Sequence, residues 1–437
     1  MNSMYMLPPD GYTTGYAFEM VPGGYFAVDA FFWLGGFLVV FALVGQINLK
    51  GRGPPLHLVY ILRFVRIVPS YMYFLLMFVG VLLYVGDGPL WYMVEEHTAP
   101  CLTNWWTNLL FINNFYPTNT SEACMDWSWY LANDMQFFII TPFLIWTYHK
   151  SKAAGIAVCL VLLAASTGIT AWLVIGGTTL PDGTVLPKDL SSSSLSPNNP
   201  DFVVEVYTKP YCRIQSYLIG ILTGYANDML KVRDSPKKRI NIWVDGILTV
   251  VASAVCWVCV FGEQGQYSET PSPWTLAENV LYNSLSKIAF SVGLGVLCLL
   301  CISGNARFIN WFLTWWIWNP LARLTFGAYL VHPILMDLFY TSSRVVLYWD
   351  LYFMPQHFCF FVVSAYICSA GQFFLVERYV ARTLHEPTRS PVPPQLTRAV
   401  YLCDSRPLMT MLKLCKGGGK KKKPKDEFIQ DEEAPKH

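Results

Sequence analysis

Long apolar runs broken by short polar turns dominate the chain. A helix needs about 20 largely apolar residues to cross a bilayer core, since each residue advances it by only about 1.5 Å. Nine stretches meet that need: 25–47, 64–86, 128–148, 153–176, 211–229, 241–262, 278–302, 325–343 and 355–377. The pattern predicts an all-α fold, a polytopic transmembrane helical bundle of about nine spans. Composition sharpens this picture. Only 14% of the 437 residues are charged and 54% are hydrophobic, against about 25% charged in ordinary soluble chains. A soluble multidomain enzyme is therefore a poor description, and so is disorder over most of the length.

Charge in the connecting segments predicts orientation, because cytosolic loops collect Lys and Arg. Residues 1–24 have neither, whereas Lys50 and Arg52 lie in the first turn, with Arg63 and Arg66 at the mouth of the next helix. The long loop 87–127 has no basic residue, and Lys150 and Lys152 follow it. Loop 177–210 holds only Lys188 and Lys209, loop 230–240 is strongly basic, and 263–277 again has none. Arg307 and Arg323, a lone Arg344 and a Lys-rich tail complete the alternation. This predicts an N-out/C-in layout: an outer or lumenal segment 1–24, a membrane domain 25–380 and a cytosolic tail 381–437. The expected home is the endoplasmic reticulum and secretory pathway, or the plasma membrane, with membrane lipids as neighbours. Asn119-Thr120-Ser121 is a glycosylation sequon in the outer loop 87–127. Cys101 and Cys124 share that loop, where an oxidising compartment permits a disulfide, two separate thiols being the alternative. Closing a loop of that size contributes roughly 3 kcal/mol.

Some chemistry is excluded. Cys256/Cys259 and Cys298/Cys301 mimic zinc spacing, but the topology puts them at opposite ends of successive helices, roughly 20 Å apart along the membrane normal. They read as packing residues, and no metal is expected. Nothing suggests nucleic acid. Ionisable residues within the spans ask for a reason, since each costs about 2.5–3.5 kcal/mol near the bilayer centre. Asp29 begins the first span, Asp134 lies about two turns below the outer surface and Arg213 enters the fifth span. Lys287 and His332 are deeper, with Asp337 about one turn beyond His332. Interhelical salt bridges that lock the bundle are one reading. A polar route through it, for transport or for transfer between the two sides, is the other.

Five stretches in order resemble the acyltransferase 3 family, in its nose-resistant-to-fluoxetine-like branch. Tyr25 to Phe37 (YFAVDAFFWLGGF) is similar to its VDxFFxxSGF signature, and Arg63 to Pro69 (RFVRIVP) to its RxxRxxP helix entry. Trp129 to Phe138 (WYLANDMQFF), preceded by Cys101, Trp105, Trp106 and Cys124, resembles WYLxxDMQF and its cysteine-flanked loop. Arg213 to Gly220 and Leu324 to Pro333, the latter including Tyr329 and His332, match two further signatures. The resemblance covers about residues 22–380.

That resemblance implies a membrane transferase moving an acyl group from acyl-CoA to a hydroxyl of a lipid, sterol-like or carbohydrate acceptor. Arg63 and Arg66 would hold the donor's phosphates. Asp134 would orient, and His332 would either orient a substrate or sit as a neutral bundle histidine. Asp29, Arg213, Lys287 and Tyr329 would complete the polar interior. Two departures stand out. Gly35 replaces the signature's Ser. The resemblance also implies a further helix ahead of Tyr25, carrying an Arg and a His that serves as the base, whereas residues 1–24 hold neither type. On this reading the chain lacks that helix and the catalytic base is unassigned. A lipid or small-molecule uptake factor and an inactive scaffold are the rival functions.

Overall fold

The structure, a computed structural model, describes residues 20, 22–50, 53, 55–118, 122–178, 206–230, 241–262, 275–345 and 352–378. The sequon residue Asn119, the tail 381–437, nearly all of 1–24 and most of loop 177–210 lie outside the described residues. Among the described residues every regular element is helical. In chain order these are α1 (Phe26–Lys50), α2 (Leu56–Gly80), α3 (Tyr92–Leu109), α4 (Trp129–Lys150), α5 (Lys152–Thr178) and α6 (Pro210–Met229). They continue as α7 (Ile242–Phe261), α8 (Leu276–Ile302), α9 (Arg307–Leu313), α10 (Trp318–Ser342) and α11 (Phe353–Gln372). A helix thus stands at each of the nine apolar stretches, with α3 and α9 as additions.

Six helices, α1, α2, α5, α7, α8 and α11, are long and apolar enough to cross a membrane. The other three long ones, α4, α6 and α10, are more polar, and packing explains why for the first two. Thirteen of the 20 residues of α6 and 11 of the 22 of α4 are buried, against two of 20 in α7. An outer helix must be apolar all round because it meets lipid, whereas an interior helix meets other helices and tolerates paired polar groups. Accordingly α7 exposes Trp243, Ile247, Val250, Val251 and Val258.

Local signals set the helix starts. Thr275 and Glu278 form a reciprocal capping box at α8. The Asn241 side chain accepts from the Trp243 amide at α7, and Pro210 opens α6. The centre of the bundle is the α1–α6 pair, flanked by α4, α5 and α8, with α7 outside α8. A Cβ added to Gly36 would lie 2.3 Å from the Tyr217 carbonyl oxygen, and one added to Gly220 would lie 2.1 Å from that of Trp33. The two backbones therefore touch, and only glycine fits at the contact. On the other side α10 packs against α11 and α2, and a five-residue π turn, Phe373–Glu377, ties α11 to α2 through Ser70.

Loop 87–127 is more ordered than its polar composition predicts, since α3 lies within it. Val94, Thr98 and Cys101 recur at helical spacing and are buried. The Cys101–Cys124 disulfide staples the end of this segment, with the Cα atoms 4.5 Å apart. Asn108 donates to the Tyr71 hydroxyl and to the Cys124 carbonyl, at 2.8 Å each. His97 of α3 faces Asp337 of α10 at 3.5 Å. Its hydrogen bond to Asp337 raises its pKa, with Asp126 and Glu96 adding negative charge nearby. Burial pushes the neighbouring Asp126 carboxyl up as well, opposed by the Trp127 amide and His97.

Two predictions follow from the packing. Gly220→Val forces α1 and α6 apart and lowers stability by about 1–3 kcal/mol, whereas Gly246→Ala, with nothing within 4 Å of the added carbon, leaves the thermal midpoint in detergent unchanged. The His97 side chain is 44% exposed, so its pair with Asp337 contributes under about 1 kcal/mol. Because the folded-state pKa is raised, that stability is fully present below the ordinary value of 6.5 and is lost as pH rises through the higher folded value. The midpoint difference between the parent chain and His97→Gln shrinks accordingly on going from acidic to alkaline buffer.

Candidate active site

One buried ion pair, one part-buried ion pair and a tyrosine–histidine segment form the polar interior. The first pair joins the beginnings of α1 and α6. Arg213 Nη1 donates to Asp29 Oδ2 at 2.8 Å, Ser216 Oγ donates to Asp29 Oδ1 at 2.9 Å, and Arg213 Nε donates to the Tyr207 carbonyl at 2.9 Å. The guanidinium also lies 4.1 Å from the centre of the Tyr207 ring, with Trp129 at 5.7 Å. Asp29 is 0% exposed and Arg213 1%. Burying two such charges costs several kcal/mol each unless geometry and extra hydrogen bonds compensate, and this shell of donors, acceptors and rings does so. Burial pushes the Tyr207 hydroxyl up, while Arg213 holds it down.

The second pair joins α2 to α4. Arg63 Nη2 donates to Asp134 Oδ2, and its guanidinium lies 4.1 Å from the centre of the Phe138 ring. The charges of this pair also act on Tyr130 and Tyr217. Gly35 faces the same locus, since a carbon added there would lie 3.4 Å from Asp134 Oδ1. The two pairs are therefore served by one face of α1. Asp29, Phe32 and Gly35 follow one another at helical spacing, so the loci are roughly 9 Å apart along the axis. Phe32, fully buried, separates them, with the Tyr130 ring 4.6 Å away.

Tyr130 leads on to α10. Its ring centre is 5.8 Å from that of Tyr329, which is 6.0 Å from the His332 ring. Tyr329 donates its hydroxyl proton to the Trp127 carbonyl. His332 Nδ1 lies 2.7 Å from the Tyr329 carbonyl oxygen. A carbonyl only accepts, so Nδ1 carries the proton, and in the neutral ring Nε2 presents a lone pair.

The structure therefore joins Arg63 with Asp134, and Asp29 with Arg213. Lys287 lies beside the Asp29–Arg213 pair, where Arg213 and Asp29 act on it. Arg66 is half-buried on α2 and interacts with Glu377 of the π turn. Sequence reasoning missed Ser216, Tyr207 and the partners, Asn114 and Lys209, that the polar residues Asn133 and Gln136 of α4 meet in a cluster at the start of that helix. In that cluster Asn114 donates to Asn133 Oδ1 at 2.6 Å, Gln136 donates to Asn114 Oδ1 at 2.9 Å and Lys209 donates to the Asn114 carbonyl at 2.8 Å. The Arg213, Ser216, Gly220 spacing, one helical face, was the available signal for Ser216. For the cluster the sequence showed only the polar residues of α4, because Asn114 and Lys209 come from separate turns of chain.

Removing either partner of the first pair strands a buried charge, so Asp29→Asn or Arg213→Met alone costs about 3–5 kcal/mol. The combined Asp29→Leu, Arg213→Met chain recovers much of that loss, as a double-mutant cycle of unfolding in detergent would measure.

A family model described as an acyltransferase domain, acyltransferase 3, matches residues 2–371. The chain is 28% identical over 361 residues to nose resistant to fluoxetine protein 6 of Caenorhabditis elegans, covering 77% of this chain and 40% of the relative. It is 24% identical over 297 residues to regulator of hypoxia-inducible factor 1 of the same organism, covering 63% of this chain and 53% of the relative. The chain thus spans about half the length of these curated relatives or less. No solved structure matches it. With a helical bundle, a cysteine-stapled loop and family similarity along most of its length, the chain belongs to the acyltransferase 3 family.

Proposed function

We propose that this chain is a membrane-embedded acyltransferase that moves an acyl group from acyl-CoA to a hydroxyl-bearing acceptor, with nine crossings and an N-out/C-in layout. It resides in the secretory pathway or the plasma membrane. The family match over residues 2–371 carries this reading, and the geometry of Arg63 adds support. Asp134 holds one of its terminal nitrogens, while its Nε is buried with no hydrogen-bond partner. The guanidinium is thus positioned with donor capacity in hand, which suits a phosphate group that presents several acceptor oxygens. Arg63 and Arg66 stand three residues apart on α2 and together hold the phosphates of acyl-CoA.

In the transfer, the acceptor oxygen attacks the thioester carbonyl carbon and the carbon–sulfur bond breaks. The hydroxyl proton leaves to a base, and coenzyme A departs as a thiol once protonated. His332 Nε2 orients the acceptor hydroxyl by accepting from it. The base itself stays unassigned. Gly35 leaves Asp134 without the hydroxyl neighbour that the family signature's Ser provides.

Release of free coenzyme A thiol from acyl-CoA, in membranes carrying the chain, tests this. Arg66→Ala raises the KM for acyl-CoA about tenfold or more, as expected for loss of a charge-assisted phosphate contact. His332→Ala lowers kcat more than it changes KM. Absence of acyl-CoA-dependent thiol release from the parent chain, or equal KM values for parent and Arg66→Ala, overturns the reading. Solute flux indifferent to acyl-CoA points to uptake instead.

A further inference from the structure

By charge pattern the chain between α8 and α10 is a connecting turn, marked by Arg307 and Arg323. Between those two arginines no residue is charged, and Trp311, Trp315, Trp316 and Trp318 crowd the run together with Phe308 and Phe312. The run falls short of the about 20 apolar residues that a crossing needs. Its rings nevertheless point outward. Phe308 is 78% exposed, Trp311 71% and Trp316 69%, and Phe312 and Trp315 are exposed as well.

The fold pins this segment to one end of the bundle. Both carboxylate oxygens of Asp245, in the first turn of α7, accept from the Ala306 amide at 3.1 Å. Ile309 packs with Ala306 against Leu300 and Cys301 at the end of α8. Phe308, Trp311 and Phe312 stand at i, i+3 and i+4 of α9, hence on one face, and Trp315 and Trp316 follow in the next turn. The backbone there meets its own needs: the amides of Thr314, Trp315 and Trp318 donate to the carbonyls of Asn310, Phe312 and Trp315. Trp318 Nε1 adds a bond to the Phe312 carbonyl at 2.9 Å. Both α7 and α8 are long and apolar enough to cross a membrane, so the start of one and the end of the other mark a bilayer surface. Trp243, near Asp245, is exposed at that same end of α7.

We propose that residues 307–318 lie in the membrane interface rather than in water, with Phe308, Trp311, Trp315 and Trp316 seated where headgroups meet acyl chains. Water would leave five large aromatic rings uncovered, whereas the hydrocarbon core would strand Asn310 and the flanking arginines. Indole suits the boundary between them, since its rings leave water while its N–H keeps a polar partner. Arg307 and Arg323, both exposed, extend toward the lipid phosphates from either edge of the uncharged run. The segment thereby sets the depth at which α8 ends and α10 begins.

The test uses the full chain in lipid nanodiscs whose phosphatidylcholine carries bromine either high or low on its acyl chains. Tryptophan fluorescence of the parent chain is compared with that of a variant combining Trp311→Phe, Trp315→Phe and Trp316→Phe, so that the difference reports these indoles alone. Each single substitution is measured too, which keeps the result readable if the combined variant fails to fold. The difference signal is quenched in both lipids, about twofold more by the high bromines, as seating roughly 5–10 Å into the headgroup boundary requires. Quenching that is equal, or stronger with the low bromines, places the rings in the hydrocarbon core. No quenching in either lipid puts them in water or against protein, a second copy of the chain included. Either result overturns the proposal.

Discussion

The close contact of α1 with α6 is the constraint on which the bundle depends. Glycine at positions 36 and 220 lets the two backbones meet, and that approach brings Asp29 within hydrogen-bonding distance of both Arg213 and Ser216. The ion pair and the steric fit require each other. Separating the helices leaves two buried charges apart in a medium of low dielectric, and removing the charges leaves a polar pocket at the tightest part of the packing. Because α4, α5 and α8 all pack on this pair, the position of Asp134 and that of Lys287 are inherited from it.

The polar interior is therefore structural and chemical at once. Each carboxylate within the bundle core has a cation: Asp29 has Arg213 and Asp134 has Arg63. Such pairing makes intramembrane charge affordable and holds the guanidinium groups still. A guanidinium fixed on one side by a carboxylate presents its remaining donors in a set direction, which is the property a phosphate-binding group needs. The segment between α2 and α4 contributes differently. Its disulfide and its asparagine-rich network hold α3 and the turn after it against α2 and α4.

Much of this was legible along the chain. The length of apolar runs placed a helix at each of the nine apolar stretches, because a membrane helix must satisfy its own backbone and bury or face lipid with apolar groups. Paired arginines on α2, the carboxylate of α4 and the arginine opening α6 drew attention because charge within a span is expensive. Cys101 and Cys124 were visible as a pair by sharing one loop. The helix α3 was harder to read. It is amphipathic, with its buried positions interleaved among Glu95, Glu96 and His97, so low hydropathy hid a helical repeat.

What the amino-acid order determined by itself was the class of solvent each segment prefers, and hence the helical, membrane-embedded nature of the protein. What only the tertiary structure decided was who meets whom. Asp29 and Arg213 are 184 residues apart, and nothing in their local sequence distinguishes a charge that will be paired from one that will not. Hydropathy is a property of a segment read alone, whereas ion pairing and glycine contacts are properties of two segments brought together. The interior helices α4 and α6 carry the polar groups because other helices, rather than lipid, surround them.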